Sequence, residues 1–425
     1  MARHALRRVG LEGIPEARRR ARDAEAEATA SRIVDDVESR GEAAVREWAV
    51  RLGELAPGAP LVIGRAGLEA ALDGLDAPTR GLLERARDRI AAFAAAQRAS
   101  ISGLSFAVPG GRAGHELVPV ARAGCYAPGG RFPLPSSALM TACAARAAGV
   151  PSVWCAGPRP APATLAAAAL AGAEGFLAAG GAQGIAALAF GAGVPPCSMI
   201  VGPGGRYAAA AKRLLAGAVG TDAPAGPSEL LVIATRGADP ELAAADLLAQ
   251  AEHDTAAVPA LATDDESFAA AVEEALARRL ALLPEPNRST AAAALANGWA
   301  FVAPDEAALR AAAERFAPEH LELLSRDPAA LARGIGNAGA IFLGSGAAEV
   351  LGDYGAGPNH CLPTGGAARF AAGLSVFTFL RARTWLELDD PSELARDSAA
   401  LARVEGLEAH ARAAELRSGA AGGLE

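Results

Sequence analysis

The first part of the chain carries apolar residues at helical spacing. Between about residues 24 and 100, positions three or four apart hold aliphatic or aromatic side chains, and charged residues fall on the opposite face. This pattern predicts amphipathic helices, with a further helix over residues 80–99. The clearest apolar positions are Ile33, Val34, Val37, Ala44, Val45 and Trp48.

From about residue 116 the pattern changes to short apolar runs separated by Gly and Pro breaks and by alanine-rich helical stretches. Strands that alternate with helices are typical of βαβ units over a parallel sheet, so the fold class is predicted as α/β. The uncharged stretch 175–201 is long enough to cross a bilayer. Its glycines, Gln183 and the Pro195-Pro196 pair favour a buried strand–helix–strand instead.

Two glycine-rich turns follow predicted strands, APGGRF at 127–132 and GPGGRY at 202–207. Glycine turns between a strand and a helix let a ligand phosphate approach the backbone and the helix N-terminus. Neither turn matches GxGxxG, so each is also explained by ordinary turn glycine. The last fifty or so residues are predicted to be helical and strongly amphipathic, and we expect them to pack on another surface, such as a second subunit.

Composition narrows the class of protein. Acidic residues number 48 and basic residues 40, which gives a formal charge of −8 and argues against binding to nucleic acid. The five cysteines are widely spread and form no CxxC pair, which is typical of buried free thiols in a reducing compartment. The N-terminal segment lacks the apolar core of a secretory signal. We therefore expect a cytoplasmic protein that does not enter the membrane.

Histidines are few, and their neighbours suggest chemistry. Gln250 and His253 lie three residues apart on a predicted helix, so both side chains share one face and could grip one metal ion or substrate, although surface pairs are common. Glu319 precedes His320 in FAPEHLELL, and a carboxylate beside an imidazole can move protons near neutral pH. Adjacent helical residues point different ways, so a structural role is equally consistent with this pair.

Two further histidines have polar surroundings. His360 lies in LGDYGAGPNHCLPTGG, a Gly/Pro-rich loop that also holds Asp353, and such loops expose polar side chains in clefts. His410 follows Glu405 in EGLEAH. One candidate metal set is Gln250, His253, Asp353 and His410, whose mixed nitrogen and oxygen donors suit zinc or manganese, with zinc favoured by two imidazoles. Spacing alone leaves other sets of four open.

Seven segments, in order and at similar separations, resemble the histidinol dehydrogenase family over roughly residues 33–417. They are GCYAPGGRFPLPSSALMTA, GGAQGIAALAFG, DAPAGPSELLVIA, DLLAQAEHD, FAPEHLELL, GDYGAGPNHCLPT and VEGLEAH. The resemblance implies oxidation of L-histidinol to L-histidine through an aldehyde, with two NAD⁺ and one bound zinc. It also implies a homodimer with two Rossmann-like domains, in which the C-terminal tail of one subunit completes the partner's site.

The resemblance also implies a role for each matching residue. The zinc ligands are Gln250, His253, Asp353 and His410, and the proton-transfer pair is Glu319 and His320. The substrate is bound by Ser228 and Glu405 together with His320 and the zinc ligands. The dinucleotide is contacted by Tyr126, Gln183 and the residue at position 205. Here Gly205 stands where the family usually has Asn, so we expect weaker hydrogen bonding to NAD there, or a substitute such as Arg206.

The expected organisation has four parts. Residues 1–22 form an N-terminal helical arm, and 23–125 with 230–372 form a first α/β domain that holds the metal and catalytic residues. Residues 126–229 form a second, NAD-binding α/β domain, and 373–425 form a helical tail exchanged in the dimer.

The rival within the superfamily is a zinc and NAD dehydrogenase of another small polar alcohol, such as a sulfonated diol. A zinc hydrolase and a noncatalytic Rossmann-like module are disfavoured by the βαβ block and the APEH pair.

Overall fold

The computed structural model describes residues 6–16, 23–129, 132–223 and 226–418. The strands are β1 Arg7–Arg8, β2 Val62–Gly64, β3 Leu104–Val108, β4 Gly111–Pro119, β5 Arg122–Tyr126, β6 Ser152–Ala156, β7 Gly175–Leu177, β8 Met199–Val201, β9 Gly220–Thr221, β10 Glu229–Ala234, β11 Val258–Thr263, β12 Trp299–Val302, β13 His320–Leu324, β14 Ala340–Leu343 and β15 Leu380–Leu388.

The helices alternate with these strands. They are α1 Ala24–Arg40, α2 Glu42–Arg51, α3 Arg65–Asp73, α4 Ala77–Ala99, α5 Pro135–Ala147, α6 Pro162–Leu170, α7 Gly181–Phe190, α8 Arg206–Leu215, α9 Pro240–His253, α10 Glu266–Leu282, α11 Asn287–Leu295, α12 Glu306–Phe316, α13 Pro328–Ala332, α14 Glu349–Asp353, α15 Ser392–Val404 and α16 Glu408–Glu415. Within the described ranges, no helix is long and apolar enough to cross a membrane.

The chain divides into two compact units, Met1–Ala96 with Ala121–Phe379, and Gln97–Val120 with Leu380–Glu425. The larger unit contains two sheets. The first, sheet A, has the strand order β1-β12-β11-β10-β13-β14, and all its described pairings are parallel. Residues along β10 alternate between two cores: Leu230 and Val232 pack with α9–α11, and Leu231 and Ile233 pack with α12 and α13.

The second sheet, sheet B, has the order β2-β7-β6-β5-β8-β9. Its described pairings are parallel except at the edge, where β2 runs antiparallel to β7. Helices α1, α2, α7 and α8 share one hydrophobic core on this sheet. The α/β class and the parallel sheets predicted from the sequence are thus confirmed.

The packing differs from the expected domain boundaries in two places. Residues 23–125 were expected to belong with 230–372, but α1, α2 and β5 belong to sheet B and its core. An amphipathic pattern shows that a helix has a buried face without showing which sheet that face covers. In the expected helical arm 1–22, the described residues form strand β1 beside β12 and a 3-10 turn over Leu11–Gly13; residues 1–5 and 17–22 lie outside the described ranges.

The smaller unit contains a feature that the helical prediction for 373–425 missed. Strand β15 pairs antiparallel with β4 along its whole length, and β4 pairs with β3. The sequence LRARTWLEL alternates polar and apolar residues, as a half-exposed strand does. At Gly114 a Cβ atom would lie 2.0 Å from the Leu104 carbonyl oxygen and 2.6 Å from the Trp385 ring, so glycine allows both β3 and the indole to pack against β4. Helices α15 and α16 follow, as predicted.

Candidate active site

Six of the predicted site residues, all between positions 228 and 353, meet at one edge of sheet A. Strands β10 and β13 are parallel neighbours in which Leu230 lies opposite His320, so Ser228 and Glu319 both lie where the strands begin. Helix α9 runs back from β10, and its last turn brings Gln250 and His253 to the same edge. Ligands of open parallel sheets usually bind at the carboxyl ends, so this cluster lies at the opposite edge.

Three potential metal ligands lie close together here. One ligand atom from each of His253, Glu349 and Asp353 falls within 4.8 Å of the others. His253 Nε2 is 3.8 Å from Asp353 Oδ2, and His253 Nδ1 is 4.0 Å from Glu349 Oε1. The buried Gln250 amide, oriented so that its nitrogen donates to the Glu349 carboxylate at 3.1 and 3.0 Å, directs its oxygen toward His253. The donors are oxygen and nitrogen, which fits zinc or a similar divalent ion.

Glu349 is a member of this cluster that the sequence reasoning missed. It lies four residues before Asp353, and helix α14 therefore places both carboxyl groups on one face. That spacing was the available signal. Burial raises the pKa of Glu349 well above its usual range, and the neighbouring carboxyl groups Asp353 and Glu319 raise it further.

His320 is held with one ring nitrogen free. Its Nδ1 lies 3.2 Å from the Glu229 carbonyl oxygen, so the proton of the neutral ring is assigned to Nδ1. Nε2 is buried and has no hydrogen-bond partner among the described residues. Burial lowers the pKa of His320 to about 3, with smaller contributions from His253 and His360. The ring is therefore neutral at physiological pH, and Nε2 presents a lone pair.

Glu319 lies beside this ring, with its Oε2 3.7 Å from His320 Nδ1. That oxygen accepts the Glu229 N–H at 3.0 Å, and the Ser228 side chain also hydrogen-bonds to the carboxyl group. Burial raises the pKa of Glu319 well above its usual range, and the carboxyl groups of Glu229 and Asp353 add to that shift. Burial also raises the pKa of Glu229 to about 7. Crowded, buried carboxyl groups of this kind favour a cationic ligand.

His360 supports the cluster from the adjoining loop. Its Nδ1 lies 3.1 Å from the Asp353 carbonyl oxygen and 3.9 Å from Asp353 Oδ1. Burial lowers the pKa of His360 to about 4. The Asn359 amide donates to the Met140 carbonyl oxygen at 2.7 Å, which ties this loop to helix α5. The loop residue thus fixes the backbone that carries Asp353.

The expected dinucleotide residues gather at the carboxyl edge of sheet B, the usual ligand edge of such a sheet. Tyr126 ends β5, and its hydroxyl oxygen accepts the Gly181 N–H at 2.9 Å where α7 begins. Gln183 donates to Glu54 Oε2 at 2.9 Å, and its own Oε1 is buried without a hydrogen-bond partner among the described residues. Gly205 caps the N-terminus of α8, and nothing lies within 4 Å of the Cβ position there.

Arg206, which was expected to replace a dinucleotide contact at position 205, pairs with acidic residues elsewhere. Its guanidinium group bonds to Asp23 at 2.6 Å and to Glu25 at 2.7 Å, at the start of α1. The expected substitute for the family's Asn therefore has other partners.

Glu405 and His410 belong to the smaller unit. Glu405 follows the last residue of α15, and His410 lies on α16; both are exposed. The larger unit thus brings together Ser228, Gln250, His253, Glu319, His320 and Asp353, while the two remaining residues lie on the C-terminal helices.

The relatives of this chain identify its family. The family model described as histidinol dehydrogenase matches residues 16–418. The chain belongs to the histidinol dehydrogenase family. It is 44% identical to a histidinol dehydrogenase of Rhizobium meliloti over 91% of this chain and 90% of that one, and 47% identical to that of Thermus thermophilus over 82% and 84%. A histidinol dehydrogenase homolog of Ruegeria pomeroyi is 43% identical over 89% of each.

A solved structure agrees with this assignment. The crystal structure of histidinol dehydrogenase from Elizabethkingia anophelis matches with a TM-score of 0.90 and 29% identity, and covers 98% of both chains. The family fold therefore extends through both units of this chain, including the antiparallel sheet that the sequence pattern did not predict.

Proposed function

We propose that the protein oxidises L-histidinol to L-histidine through L-histidinal, with NAD⁺ as hydride acceptor, as the last step of histidine biosynthesis in the cytoplasm. The observation that carries this proposal is the neutral, buried His320 beside Glu319 in a carboxyl-rich site of a chain from this family. A cationic amino alcohol matches the charge of that site.

In the first oxidation, His320 Nε2 takes the hydroxyl proton while the carbinol carbon passes hydride to NAD⁺, giving the aldehyde and NADH. A positioned base of this kind typically accelerates the reaction by about 10²–10⁴-fold. In the second oxidation, water adds to the aldehyde carbon, and the resulting hydrate passes hydride to a second NAD⁺ and releases two protons, giving the carboxylate and NADH. Glu319 is suited to take the proton of that water, because a bound cation lowers the pKa of a neighbouring carboxyl group.

Gln250, His253 and Asp353, with His410, would hold a zinc ion. Three ligand atoms already lie within 4.8 Å of one another at His253, Glu349 and Asp353, which fits one small cation. Bound there, the ion would orient the substrate's amine and imidazole and polarise the hydroxyl group. Glu349 holds the Gln250 amide through its carboxylate, and so sets the direction of the amide oxygen. Ser228 and Glu405 complete the proposed substrate contacts.

The second substrate is proposed to bind at the carboxyl edge of sheet B. Tyr126 fixes the start of α7 through the Gly181 N–H, and Gln183 offers an unbonded oxygen. Gly205 leaves open space in front of the α8 N-terminus, where backbone N–H groups and the helix dipole favour an anionic group.

A homodimer with shared sites is proposed from the apolar surface of the smaller unit. Phe106 and Leu386 both lie opposite Ala113 in the three-stranded sheet, so their side chains share one face, and both are exposed. Leu401, Val404 and Leu407 are exposed at the end of α15 and just after it. Exposed apolar side chains that lie side by side, as Phe106 and Leu386 do, favour an interface with another protein surface.

The deciding experiment counts NADH formed per L-histidinol consumed by zinc-loaded protein. We expect two NADH per histidinol, loss of turnover after chelation, and recovery with zinc. Chelation should also lower Tm, because an ion that binds the folded state stabilises it. A folded, zinc-loaded protein that ignores histidinol but oxidises a sulfonated diol or another polar alcohol would transfer the assignment to the rival activity.

A further inference from the structure

Lys212 is the only lysine in the chain, and it is buried on helix α8. Its ammonium group donates to the Gly202 carbonyl oxygen at 2.8 Å and forms an ion pair with Asp222, the side chains being 6% and 10% exposed. Taking two charges out of water costs free energy, so a buried pair is weak evidence for a stabilising role. The proposed mechanism uses neither residue.

Both charged groups act on the same peptide unit. The Gly202 N–H donates to Asp222 Oδ2 at 2.7 Å, while its carbonyl oxygen accepts from Lys212. Gly202 has a φ of +118°, which other residues rarely adopt, and a Cβ atom there would lie 2.1 Å from the Tyr126 carbonyl oxygen. The pair therefore holds the one residue whose backbone conformation directs the chain out of β8.

The held residue opens the loop Gly202-Pro203-Gly204-Gly205, which leads directly to the N-terminus of α8. Lys212 lies on the last turns of that helix, so a single side chain connects the helix back to the start of its own loop. A compact ammonium group with three donors suits this linkage to a carbonyl and a carboxylate.

The pair also interacts electrostatically with Cys361, which follows His360 in the chain. Burial raises the pKa of the Cys361 thiol, and Asp222 and Lys212 act on it with opposite sign. Both groups therefore lie near the residue that follows His360. Among the described residues, the side-chain hydrogen bonds of the pair to other groups nevertheless all run to Gly202.

We propose that Lys212 and Asp222 are positioning residues for the dinucleotide: they hold Gly202 so that the 202–205 loop and the α8 N-terminus are already shaped to receive it. This inference rests on the proposed use of NAD⁺. The inference predicts an effect on the affinity for NAD⁺ and none on the affinity for histidinol, because a loop that is already ordered lowers the free-energy cost of binding NAD⁺ only.

The test uses Lys212→Met, Asp222→Asn and the double variant, with Arg213→Met as the control on the same helix, where Arg213 pairs with Glu27 at 3.6 Å near the surface. We expect all three to raise KM for NAD⁺, and the calorimetric Kd of the zinc-loaded protein for NAD⁺, by about tenfold, a loss of about 1.4 kcal/mol. KM for histidinol and zinc content should stay unchanged, as should all values for the control.

The double variant separates positioning from stability. It removes both charges, so Tm should recover relative to the single variants, since neutral replacement of a buried pair is often tolerated. NAD⁺ affinity should stay low because no side chain then donates to the Gly202 carbonyl oxygen, and only a neutral amide oxygen remains to accept its N–H. Recovery of NAD⁺ affinity together with Tm would overturn the inference. A wild-type protein that neither binds nor reduces NAD⁺ would instead refute the proposed function.

Discussion

The His320 ring offers a direct test at the scale of one residue. Its Nδ1 is committed to the Glu229 carbonyl oxygen and its Nε2 is free, so replacement removes a base without removing a metal donor. We expect His320→Ala to lower kcat about 100-fold or more, with zinc content by mass spectrometry unchanged. His115→Ala, on β4, is the matched control and should keep its turnover. Normal turnover in His320→Ala would remove the base assignment.

Gly205 tests whether the chain has lost a cofactor contact. Its φ of −65° and ψ of 177° suit any residue, and the Cβ position is open. Gly205→Asn should therefore fold normally, gain a good helix cap and lower KM for NAD⁺ about 3- to 10-fold, the worth of one hydrogen bond. Gly205→Ala adds the Cβ without the amide and should leave KM unchanged. A higher KM in Gly205→Asn would show that this chain compensates elsewhere.

Residue types and spacing predicted much of the site, because Gln250 with His253 and Glu319 with His320 are pairs that lie close in the chain. The only sequence signal for the further carboxylate Glu349 was its four-residue spacing from Asp353, because its other partners come from α9 and β13. Nor did it reveal the Lys212–Asp222 pair, whose meaning depends on the backbone of Gly202.

At the scale of elements, the start of β10 and β13 concentrates buried carboxyl groups, which makes stability depend on pH. Burial raises the pKa of Glu229 from 4.5 to about 7, so the folded state keeps a proton that the unfolded state loses. The free energy of unfolding therefore falls as pH rises from about 4.5 to 7 and is flat above that range. Glu229→Gln removes this contribution.

Urea unfolding of metal-free protein measures the effect. We compare the free energy of unfolding of Glu229→Gln with that of wild type at each pH. Between pH 4.5 and pH 8 this difference should shift in favour of the variant by at most about 3 kcal/mol. Glu387→Gln, at an exposed position on β15, should show no such difference. If Glu229→Gln and wild type differ in free energy of unfolding by the same amount at both pH values, the raised pKa of Glu229 is contradicted.

At the scale of the whole molecule, alternation of strands and helices predicted the two parallel sheets, since each βαβ unit is a local pattern. Two features of the fold were not predicted from the sequence. The apolar faces of α1 and α2 do not specify which sheet they cover, and sheet B is the one observed. The hydrogen bonds between β4 and β15 join residues more than 250 positions apart in the chain. No local sequence pattern specifies such a pairing.

The C-terminal helices provide the test of assembly. His410 lies exposed on α16 and Glu405 lies exposed just after α15, and the proposed dimer places both in the partner's site. We expect His410→Ala and His320→Ala to be inactive alone. Co-assembled at equal amounts, they should recover about a quarter of wild-type activity, since about half the dimers are mixed and one of the two sites in each is intact. Mixing His320→Ala with Asp353→Asn restores no complete site if both residues act within one subunit, so that pair should stay inactive. If neither mixture is active, His410 belongs to its own subunit's site. Recovery only in the mixture of His410→Ala with His320→Ala requires a site shared between subunits.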